Sequence, residues 1–343
     1  MREAVDVSGG KLGPLLVRLP NWLGDLVLAW PVVEAAAERG AVFVGPAAFE
    51  AIVRPRFPSS NYLVTSRARR YALAGRIQSL RPSAALLLTD SFSSTLLAAL
   101  AGIPVRIGYA AEGRGFLLTR RVRRAGASRS TARAAEYRVL GEATGLAGHP
   151  AFRGEPSIRA TSTETERGAS ALTRAGHQGG AYAVLAPGAS YGPAKQWGAD
   201  RFAAVGARVA LDRNLALVVV GAAEDRAVAA SIAETAATAG AIVTDMTGAT
   251  DLVELVGILS AGRAVVSNDS GVMHLAAALG RPTVGIFGST SPVWTSAAAP
   301  WVASLYAAYP CSPCFRRTCP IGYRCLNAIE TEAAVEALDR LLA

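Results

Sequence analysis

The sequence predicts an α/β protein made of two Rossmann-like domains in tandem, each with a parallel sheet. In both halves of the chain, short apolar runs alternate with segments whose apolar residues recur every three or four positions. Strands that alternate with helices are typical of parallel sheets, because a parallel pair of strands needs a long crossover connection. The 343 residues, of which 51% are hydrophobic, are enough for two substantial cores.

In the N-terminal half, the apolar run at 14–19 predicts the first strand, and the spacing of apolar residues predicts a helix at 26–39. Further strands are predicted at 41–44, 84–88 and 105–109, and a further helix at 93–101. The composition turns polar at 150–167, as is typical of a border between domains. We therefore expect an N-terminal domain at 1–160.

In the C-terminal half, the same alternation continues after the polar stretch. Strands are predicted at 182–186, 215–221, 241–245, 264–267 and 283–287, and helices at 200–211, 225–239, 252–260, 272–279 and 329–342. We expect a second Rossmann-like domain at 161–325, followed by a C-terminal amphipathic helix within 326–343.

Charge and hydropathy limit the classes of function. No apolar run reaches the roughly 18–20 residues that a membrane span needs, and residues 1–11 lack the pattern of a signal peptide, so we expect a cytoplasmic protein. The net charge is +9, and arginines form two groups: Arg54, Arg56, Arg67, Arg69 and Arg70, then Arg106, Arg114, Arg120, Arg121, Arg123, Arg124, Arg129, Arg133 and Arg138. These arginines are either ordinary solvated side chains or a surface for an anionic partner. No nucleic-acid motif accompanies them, so an anionic membrane surface is the better partner.

Four cysteines lie close together near the C-terminus: Cys311, Cys314, Cys319 and Cys325. Four close thiols can bind zinc, but a metal ribbon usually has two tight pairs far apart. A disulfide is disfavoured in the cytosol. Reduced packed thiols, a structural metal and a disulfide therefore remain open as interpretations.

The most informative motif is the turn between the predicted strand at 264–267 and the helix at 272–279. It contains Asp269, Ser270 and Gly271, with His274 one turn into the helix. The free N–H groups at the start of such a helix form an anion site, and ligands collect at this edge of a parallel sheet. The motif predicts a bound phosphate or diphosphate. His274 is either a structural histidine or a donor to that phosphate.

Two other loops carry polar residues after predicted strands. Asp25 follows the first strand, where it either caps a helix or acts as a general base. The Gly- and Pro-rich loop at 187–197 offers the hydroxyls of Ser190 and Tyr191 and the charge of Lys195, although it also fits an ordinary connection with a surface lysine. Glu224 stands where an acid often accepts ribose hydroxyls.

Motifs that are missing exclude other nucleotide enzymes. Neither half has G-x-G-x-x-G after its first strand, which argues against a dehydrogenase, and no Walker loop is present. The Asp269 turn also lacks a D-x-D metal motif. We therefore expect a diphosphate site that uses a helix N-terminus and Lys195, with no metal required.

These motifs together resemble glycosyltransferase family 9, the ADP-heptose:lipopolysaccharide heptosyltransferases. The resemblance is carried by 20–25 (PNWLGD), 187–197 (PGASYGPAKQW), 265–274 (VVSNDSGVMH) and 288–292 (GSTSP). The cysteine stretch at 311–325 is similar to that of the type II members. The match extends from about 15 to 330, in the right order.

The resemblance implies a GT-B fold with the active cleft between its domains. It implies inverting transfer of heptose from ADP-heptose to the inner core of lipopolysaccharide, a heptosyl-Kdo-lipid A acceptor, at the inner face of the cytoplasmic membrane. By position, Asp25 is the base and Lys195 neutralises the leaving diphosphate. The other implied contacts are Ser190 and Tyr191 to phosphate, Glu224 to ribose, Thr250 to adenine, and Asp269, Ser270, Gly271 and His274 to diphosphate and sugar. A same-fold transferase with another acceptor, or a non-catalytic sugar-nucleotide-binding protein, are the alternatives.

Overall fold

The structure, a computed structural model, describes residues 13–65, 68–124, 126 and 129–343. The predicted absence of a signal peptide at 1–11 and the arginine at position 67 lie outside the described residues. The chain divides into two compact units, Met1–Pro156 and Ser157–Ala343, called here the N-terminal and C-terminal units. This division falls within the polar stretch at 150–167.

The N-terminal unit contains a six-stranded sheet with the order β3-β2-β1-β4-β5-β6 and parallel pairing throughout. Its strands are β1 (Leu15–Arg18), β2 (Val42–Gly45), β3 (Asn61–Val64), β4 (Ala84–Leu87), β5 (Val105–Tyr109) and β6 (Arg120–Val122). Its helices are α1 (Leu23–Leu28), α2 (Trp30–Ala37), α3 (Ala47–Arg56), α4 (Arg70–Ser79), α5 (Phe92–Leu100) and α6 (Arg133–Gly141).

The C-terminal unit repeats this topology, with the sheet order β12-β11-β10-β7-β8-β9, again parallel. Its strands are β7 (Tyr182–Ala186), β8 (Ala216–Val219), β9 (Val243–Asp245), β10 (Ala264–Asn268), β11 (Thr283–Phe287) and β12 (Val302–Tyr306). Its helices are α7 (Ser162–Arg174), α8 (Ala199–Arg213), α9 (Arg226–Thr238), α10 (Leu252–Ala261), α11 (Gly271–Ala278), α12 (Pro292–Thr295), α13 (Arg324–Asn327) and α14 (Thr331–Leu342). Two copies of one doubly wound sheet confirm the predicted fold class.

The sheet order determines where functional loops can lie. In each unit the chain reverses direction across the sheet beside the first strand, between β1 and β4 and between β7 and β10. Ligands of open parallel sheets bind beyond the carboxyl ends of the strands at such a reversal. Asp25 and Asp90 follow β1 and β4, while Lys195 and Asp269 follow β7 and β10. The fold therefore gives each unit one candidate site edge.

The helix predicted at 26–39 is wrong in detail, because the structure has two helices there. Helix α1 begins at Leu23, and Ala29 separates it from α2. Pro31 occupies the first turn of α2, where a missing backbone N–H costs nothing, but it could not continue the ladder of a single helix. The break turns the chain immediately after the Asp25 loop.

The polar stretch at 150–167 is also not a linker over its whole length. Thr161 is the N-cap of α7 and forms a capping box with Glu164, so the polar residues begin a helix. Helix α7 packs closely on α10 through Gly168 and Gly257, where a Cβ built on Gly257 would lie 2.0 Å from the carbonyl oxygen of Glu164. Residues from Thr161 onward therefore belong to the core of the C-terminal unit.

The C-terminal helix is part of the same unit. Ala334, Ala337 and Leu338 of α14 are buried in the cluster that also contains Phe202 of α8. Helix α8 itself has 15 residues, whereas a membrane span needs about 20. Among the described helices, none is both long and apolar enough to span a bilayer.

Candidate active site

The candidate site of the C-terminal unit begins at the N-terminus of α11. Ser270 is the N-cap residue, yet its side chain makes no capping hydrogen bond, because its hydroxyl lies 3.1 Å from the hydroxyl of Ser267. The backbone N–H groups of the first turn, from Gly271 onward, are therefore not used by a side-chain cap. Such amides attract an anion, as the sequence predicts for Ser270 and Gly271.

The carboxylate of Asp269 is the centre of this site and is only 3% exposed. Its Oδ2 lies 2.6 Å from Nζ of Lys195 and accepts hydrogen bonds from Thr290 (2.5 Å) and Thr295 (3.3 Å). Its Oδ1 lies 3.8 Å from Nε2 of His274. One buried carboxylate thus joins the loops after β7, β10 and β11. Sequence analysis selected neither threonine as a site residue, although Thr290 lies within the motif at 288–292.

The charge state of Asp269 follows from these neighbours. Burial by itself would raise the pKa of the carboxyl group, but His274 and the positive charge of Lys195 outweigh burial and hold the pKa well below its usual range. Asp269 is therefore ionised and fixes the Lys195 ammonium beside the N-terminus of α11. Lys195, which the sequence predicts to bind the diphosphate, therefore lies next to the predicted anion site.

His274 is buried on the same helix. Its Nε2 faces Asp269, and among the residues that the structure describes its buried Nδ1 has no hydrogen-bond partner. Buried polar atoms are nearly always paired in native proteins, so an unpaired ring nitrogen favours a contact with a ligand. The structure therefore supports a structural role for His274 beside Asp269, and its role as a donor to phosphate stays a prediction.

The Gly- and Pro-rich loop is fixed at both ends by one buried amide. Asn268 donates from Nδ2 to the carbonyl of Pro187 (2.5 Å), and its Oδ1 accepts from the backbone N–H of Trp197 (3.1 Å). Trp197 is buried and donates from its indole to the carbonyl of Ile329. Lys195 therefore lies on a loop of fixed length and fixed ends, and the importance of Asn268 was not visible in the sequence.

The two hydroxyl residues of this loop differ. Ser190 is exposed in a turn. The Tyr191 hydroxyl donates to the carbonyl of Phe315 (2.5 Å), and its ring faces the charges of Lys195 (5.1 Å) and Arg317 (5.5 Å). The expectation that the Tyr191 hydroxyl faces phosphate is therefore not met in this structure, because its proton is donated within the protein.

The two residues predicted for ribose and adenine lie at the same edge of the sheet. Glu224 is exposed in a short 3-10 turn after β8, and Thr250 is half-buried just before α10. The neighbouring Asp225 packs so closely on the start of the Gly- and Pro-rich loop that a Cβ on Gly188 would lie 2.1 Å from its Oδ2. Asp225, which sequence analysis did not select, would therefore have to move if position 188 carried a side chain.

The cysteine stretch packs against this site. Phe315 donates its N–H to the carbonyl of Ser289 (2.7 Å), and Ala194 donates to the carbonyl of Arg317 (3.0 Å). All four thiols are free, and burial raises the pKa of Cys325. Within the described ranges, no group of three or more His, Cys, Asp or Glu side chains is arranged to hold a metal ion. The cysteine stretch thus packs against the loop that carries Lys195.

The candidate site of the N-terminal unit is the carboxylate of Asp25 in the first turn of α1. Trp22 is the N-cap, and no side chain caps this helix, so the capping interpretation of Asp25 is wrong in this structure. Instead, Oδ1 of Asp25 accepts from the hydroxyl of Tyr137 (2.8 Å) and from Nε of Arg133 (3.2 Å). Both donors lie on α6, more than 100 residues along the chain.

An ion-pair network surrounds Asp25. Arg133 also contacts Glu136 (2.7 Å) and Asp90 (3.7 Å), and Arg124 bridges the same two acids at 3.2 and 2.6 Å. The network joins the loops after β1 and β4 to helix α6. Asp25, the candidate base, is therefore held in place by a network of ion pairs.

The proposed arginine surface needs correction because several of its members are structural. Arg114 is completely buried and donates to the carbonyls of Thr89 (2.5 Å) and Tyr109 (2.9 Å). Arg106 and Arg138 likewise donate to backbone carbonyls. A guanidinium has five donors, so it can satisfy several strand-end carbonyls at once. The exposed members in the described ranges are Arg54, Arg69, Arg121, Arg123 and Arg129.

Known proteins of one family are similar to this chain. A sequence model of glycosyltransferase family 9 (heptosyltransferase) matches residues 70–324. Lipopolysaccharide heptosyltransferase 2 of Escherichia coli K12 is 28% identical over 299 residues, which cover 82% of this chain and 84% of the relative. Lipooligosaccharide heptosyltransferase 2 of Haemophilus influenzae is 29% identical over 288 residues, 81% and 75% of the two chains.

A solved structure shows the same fold. The E. coli ADP-heptose lps heptosyltransferase II superposes with a TM-score of 0.77 and 24% identity, covering 96% of this chain and 98% of that chain. The two doubly wound parallel units are therefore of the GT-B type.

The buried carboxylate leads to a prediction about stability. Asp269→Asn should lower the free energy of unfolding by about 3 kcal/mol at neutral pH, because Lys195 loses its counter-charge in a buried setting. Because the pKa of Asp269 is lower in the folded state, its contribution is present above about pH 4 and is lost as the pH falls through the folded-state value. The variant should therefore show a smaller loss of stability between neutral and acidic pH, measured by urea unfolding.

The matched control is Asp339→Asn, which removes the exposed partner of Arg213 (2.6 Å) in the same unit and should change stability much less. Equal effects of the two substitutions would contradict the assignment of Asp269 as the organising charge.

Proposed function

Because the chain belongs to glycosyltransferase family 9, the heptosyltransferase family, we propose that it transfers heptose from ADP-heptose to the inner core of lipopolysaccharide with inversion. The observation that carries the proposal is the Lys195–Asp269 pair beside the uncapped N-terminus of α11. This arrangement suits a nucleoside diphosphate that leaves with extra negative charge. The names of the E. coli and H. influenzae relatives support the choice of sugar and acceptor.

On the donor side, the leaving ADP is stabilised by charge and by amides. Lys195 supplies the positive charge, and the first N–H groups of α11 at Gly271 supply donors that cost no reorganisation during the reaction. Ser190, Ser270 and His274 are proposed to line the diphosphate and sugar, Glu224 to hold ribose and Thr250 to lie near adenine. We propose that these groups act without a metal ion.

On the acceptor side, Asp25 is the general base. It accepts the proton of the attacking acceptor hydroxyl, whose oxygen bonds to the anomeric carbon of heptose. The bond from that carbon to the β-phosphate oxygen breaks, and its electron pair leaves with ADP. A single displacement inverts the carbon and needs no enzyme nucleophile, so one carboxylate is sufficient.

We further propose that the enzyme works at an anionic membrane surface, where a lipid-linked acceptor would lie. The support is a set of exposed aromatic side chains beyond the carboxyl ends of strands in the N-terminal unit. Phe92 and Phe116, which follow β4 and β5, pair on the surface with ring centroids 6.1 Å apart, and Trp22 follows β1. The exposed arginines Arg121 and Arg123 lie at β6 of the same sheet. Aromatic and basic groups together favour the headgroup region of anionic lipids.

Activity with defined acceptors tests the proposed function. Purified protein should release ADP from ADP-heptose with lipid A-core acceptors, and acceptors with zero, one or two heptoses identify the subtype; we expect one heptose to be preferred. Asp25→Asn should keep its affinity for ADP-heptose and lose turnover by about 10²–10⁴-fold, because only the proton acceptor is removed.

Near-normal turnover of Asp25→Asn would remove Asp25 as the base. ADP-heptose binding without ADP release for any acceptor would favour a non-catalytic binding protein, and release only with another glycan or a protein would change the acceptor class.

Lys195→Ala should weaken ADP binding by about 10- to 100-fold, measured by calorimetry, because one charge-assisted contact to the diphosphate is lost. Arg208→Ala, on an exposed face of α8, is the control and should bind ADP as the wild type does. Turnover in EDTA should equal turnover without it. Unchanged ADP affinity would place Lys195 outside the site, and loss of turnover in EDTA would contradict the metal-free proposal.

Membrane docking is tested by co-sedimentation with phosphatidylglycerol vesicles. Binding should exceed that to phosphatidylcholine vesicles, fall with added salt, and weaken several-fold in Phe116→Ala. Leu100→Ala removes an exposed apolar side chain at the opposite end of α5 and should have no effect. Equal binding to both lipids, or none to either, would contradict this docking surface.

A further inference from the structure

The two oxygens of Asp25 have different surroundings. Oδ1 accepts two hydrogen bonds, from Tyr137 and Arg133, whereas Oδ2 accepts none from the residues that the structure describes. A carboxylate held through one oxygen loses its freedom to rotate and presents the other oxygen alone. Such an arrangement suits a base that must receive one proton at one position.

We propose that Tyr137 and Arg133 are positioning residues, which hold the carboxylate of Asp25 in one orientation and direct its Oδ2 toward the acceptor hydroxyl. The inference rests on the proposed function, since it assigns a role only if Asp25 is the base. The proton of the acceptor moves to Oδ2, while Oδ1 keeps its two donors before and after the transfer.

Tyr137 is chemically suited to this role. Its side chain is 1% exposed, and burial together with the negative charge of Asp25 raises its pKa well above the usual value for a phenol. The hydroxyl therefore stays protonated and can only donate to the carboxylate. Its ring lies under the guanidinium of Arg133, 4.7 Å from the centroid, so the two donors also fix each other.

Arg133 is itself held in place. Its side chain is 12% exposed, and Glu136 and Asp90 bind its Nη1 while its Nε faces Asp25. Burial would lower its pKa, but Tyr137, Asp25 and Glu136 outweigh burial and raise it, so the guanidinium is charged at every working pH. Arg124 binds the same two acids and stacks on Tyr109 at 4.3 Å. The network therefore fixes Arg133 as a hydrogen-bond donor to Asp25.

Tyr137→Phe tests the proposal, because it keeps the ring and the stacking with Arg133 and removes only the hydroxyl. We expect kcat to fall about 10- to 100-fold with the KM for ADP-heptose unchanged, since one hydrogen bond to a charged group is lost at the base alone. Tyr62→Phe is the control. Tyr62 is also buried in this unit and donates to a carbonyl, that of Pro46, without touching Asp25, so its loss should leave kcat unchanged.

A double-mutant cycle separates positioning from a merely structural role. If Tyr137 acts through Asp25, then Tyr137→Phe should cost nothing further in the Asp25→Asn background, where the base is already absent. Equal losses in both backgrounds, or wild-type kcat in Tyr137→Phe, would overturn the proposal. Arg133→Lys is the second variant should Tyr137→Phe not fold. This variant keeps the positive charge but loses the planar guanidinium with its several donors, so it should lower kcat several-fold. Wild-type kcat in Arg133→Lys would overturn the role of Arg133.

The two hypotheses fail in different ways. If Asp25→Asn retains turnover, the proposed base is wrong and the positioning role falls with it. If Asp25→Asn is inactive while Tyr137→Phe and Arg133→Lys are both normal, the proposed function stands and the positioning role alone is wrong.

Discussion

The C-terminal unit depends on one buried carboxylate. A parallel sheet brings the ends of neighbouring strands to one edge, but it does not determine how the loops beyond that edge are arranged. Asp269 supplies this arrangement, because Lys195, Thr290 and His274 all converge on its two oxygens. Its charge is tolerable inside the protein only because these partners surround it. The proposed diphosphate site therefore lies beside a buried negative charge, which belongs to Asp269 of the protein itself.

In the N-terminal unit, the buried charges at the strand ends are mainly positive. Arg114, Arg124 and Arg133 bring positive charge to the ends of β4 and β5, and they contact backbone carbonyls and the carboxylates of Asp90 and Glu136. Asp25 is joined to this network through Arg133 and stays at the rim, with its side chain 27% exposed. The C-terminal unit thus encloses its carboxylate, and the N-terminal unit leaves its carboxylate partly exposed to solvent.

Sequence reasoning was most successful where burial is continuous, although the partly buried strands β5 and β9 were also predicted. Every residue of β1, β2, β4, β7, β10 and β11 is buried, which gives the apolar runs that predicted them. The edge strands β3, β6 and β12 were missed, because exposed or half-buried positions interrupt their hydrophobic pattern. The Asp25 and Asp269 loops were predictable from their place after buried strands. Tyr137 and Thr290 were not, since their roles arise only from contacts across 112 and 21 residues of chain.

The close packing of α7 on α10 holds the first helix of the C-terminal unit in place. Gly168 and Gly257 bring two backbones together, and a Cβ on either would lie within 2.7 Å of the other helix. Hydropathy profiles register the side chains that a segment buries, so a contact between bare backbones contributes almost nothing to them. The first helix of this unit is therefore held by a contact that only glycine allows at both positions. This contact depends on the identity of two single residues and not on the polarity of the segment.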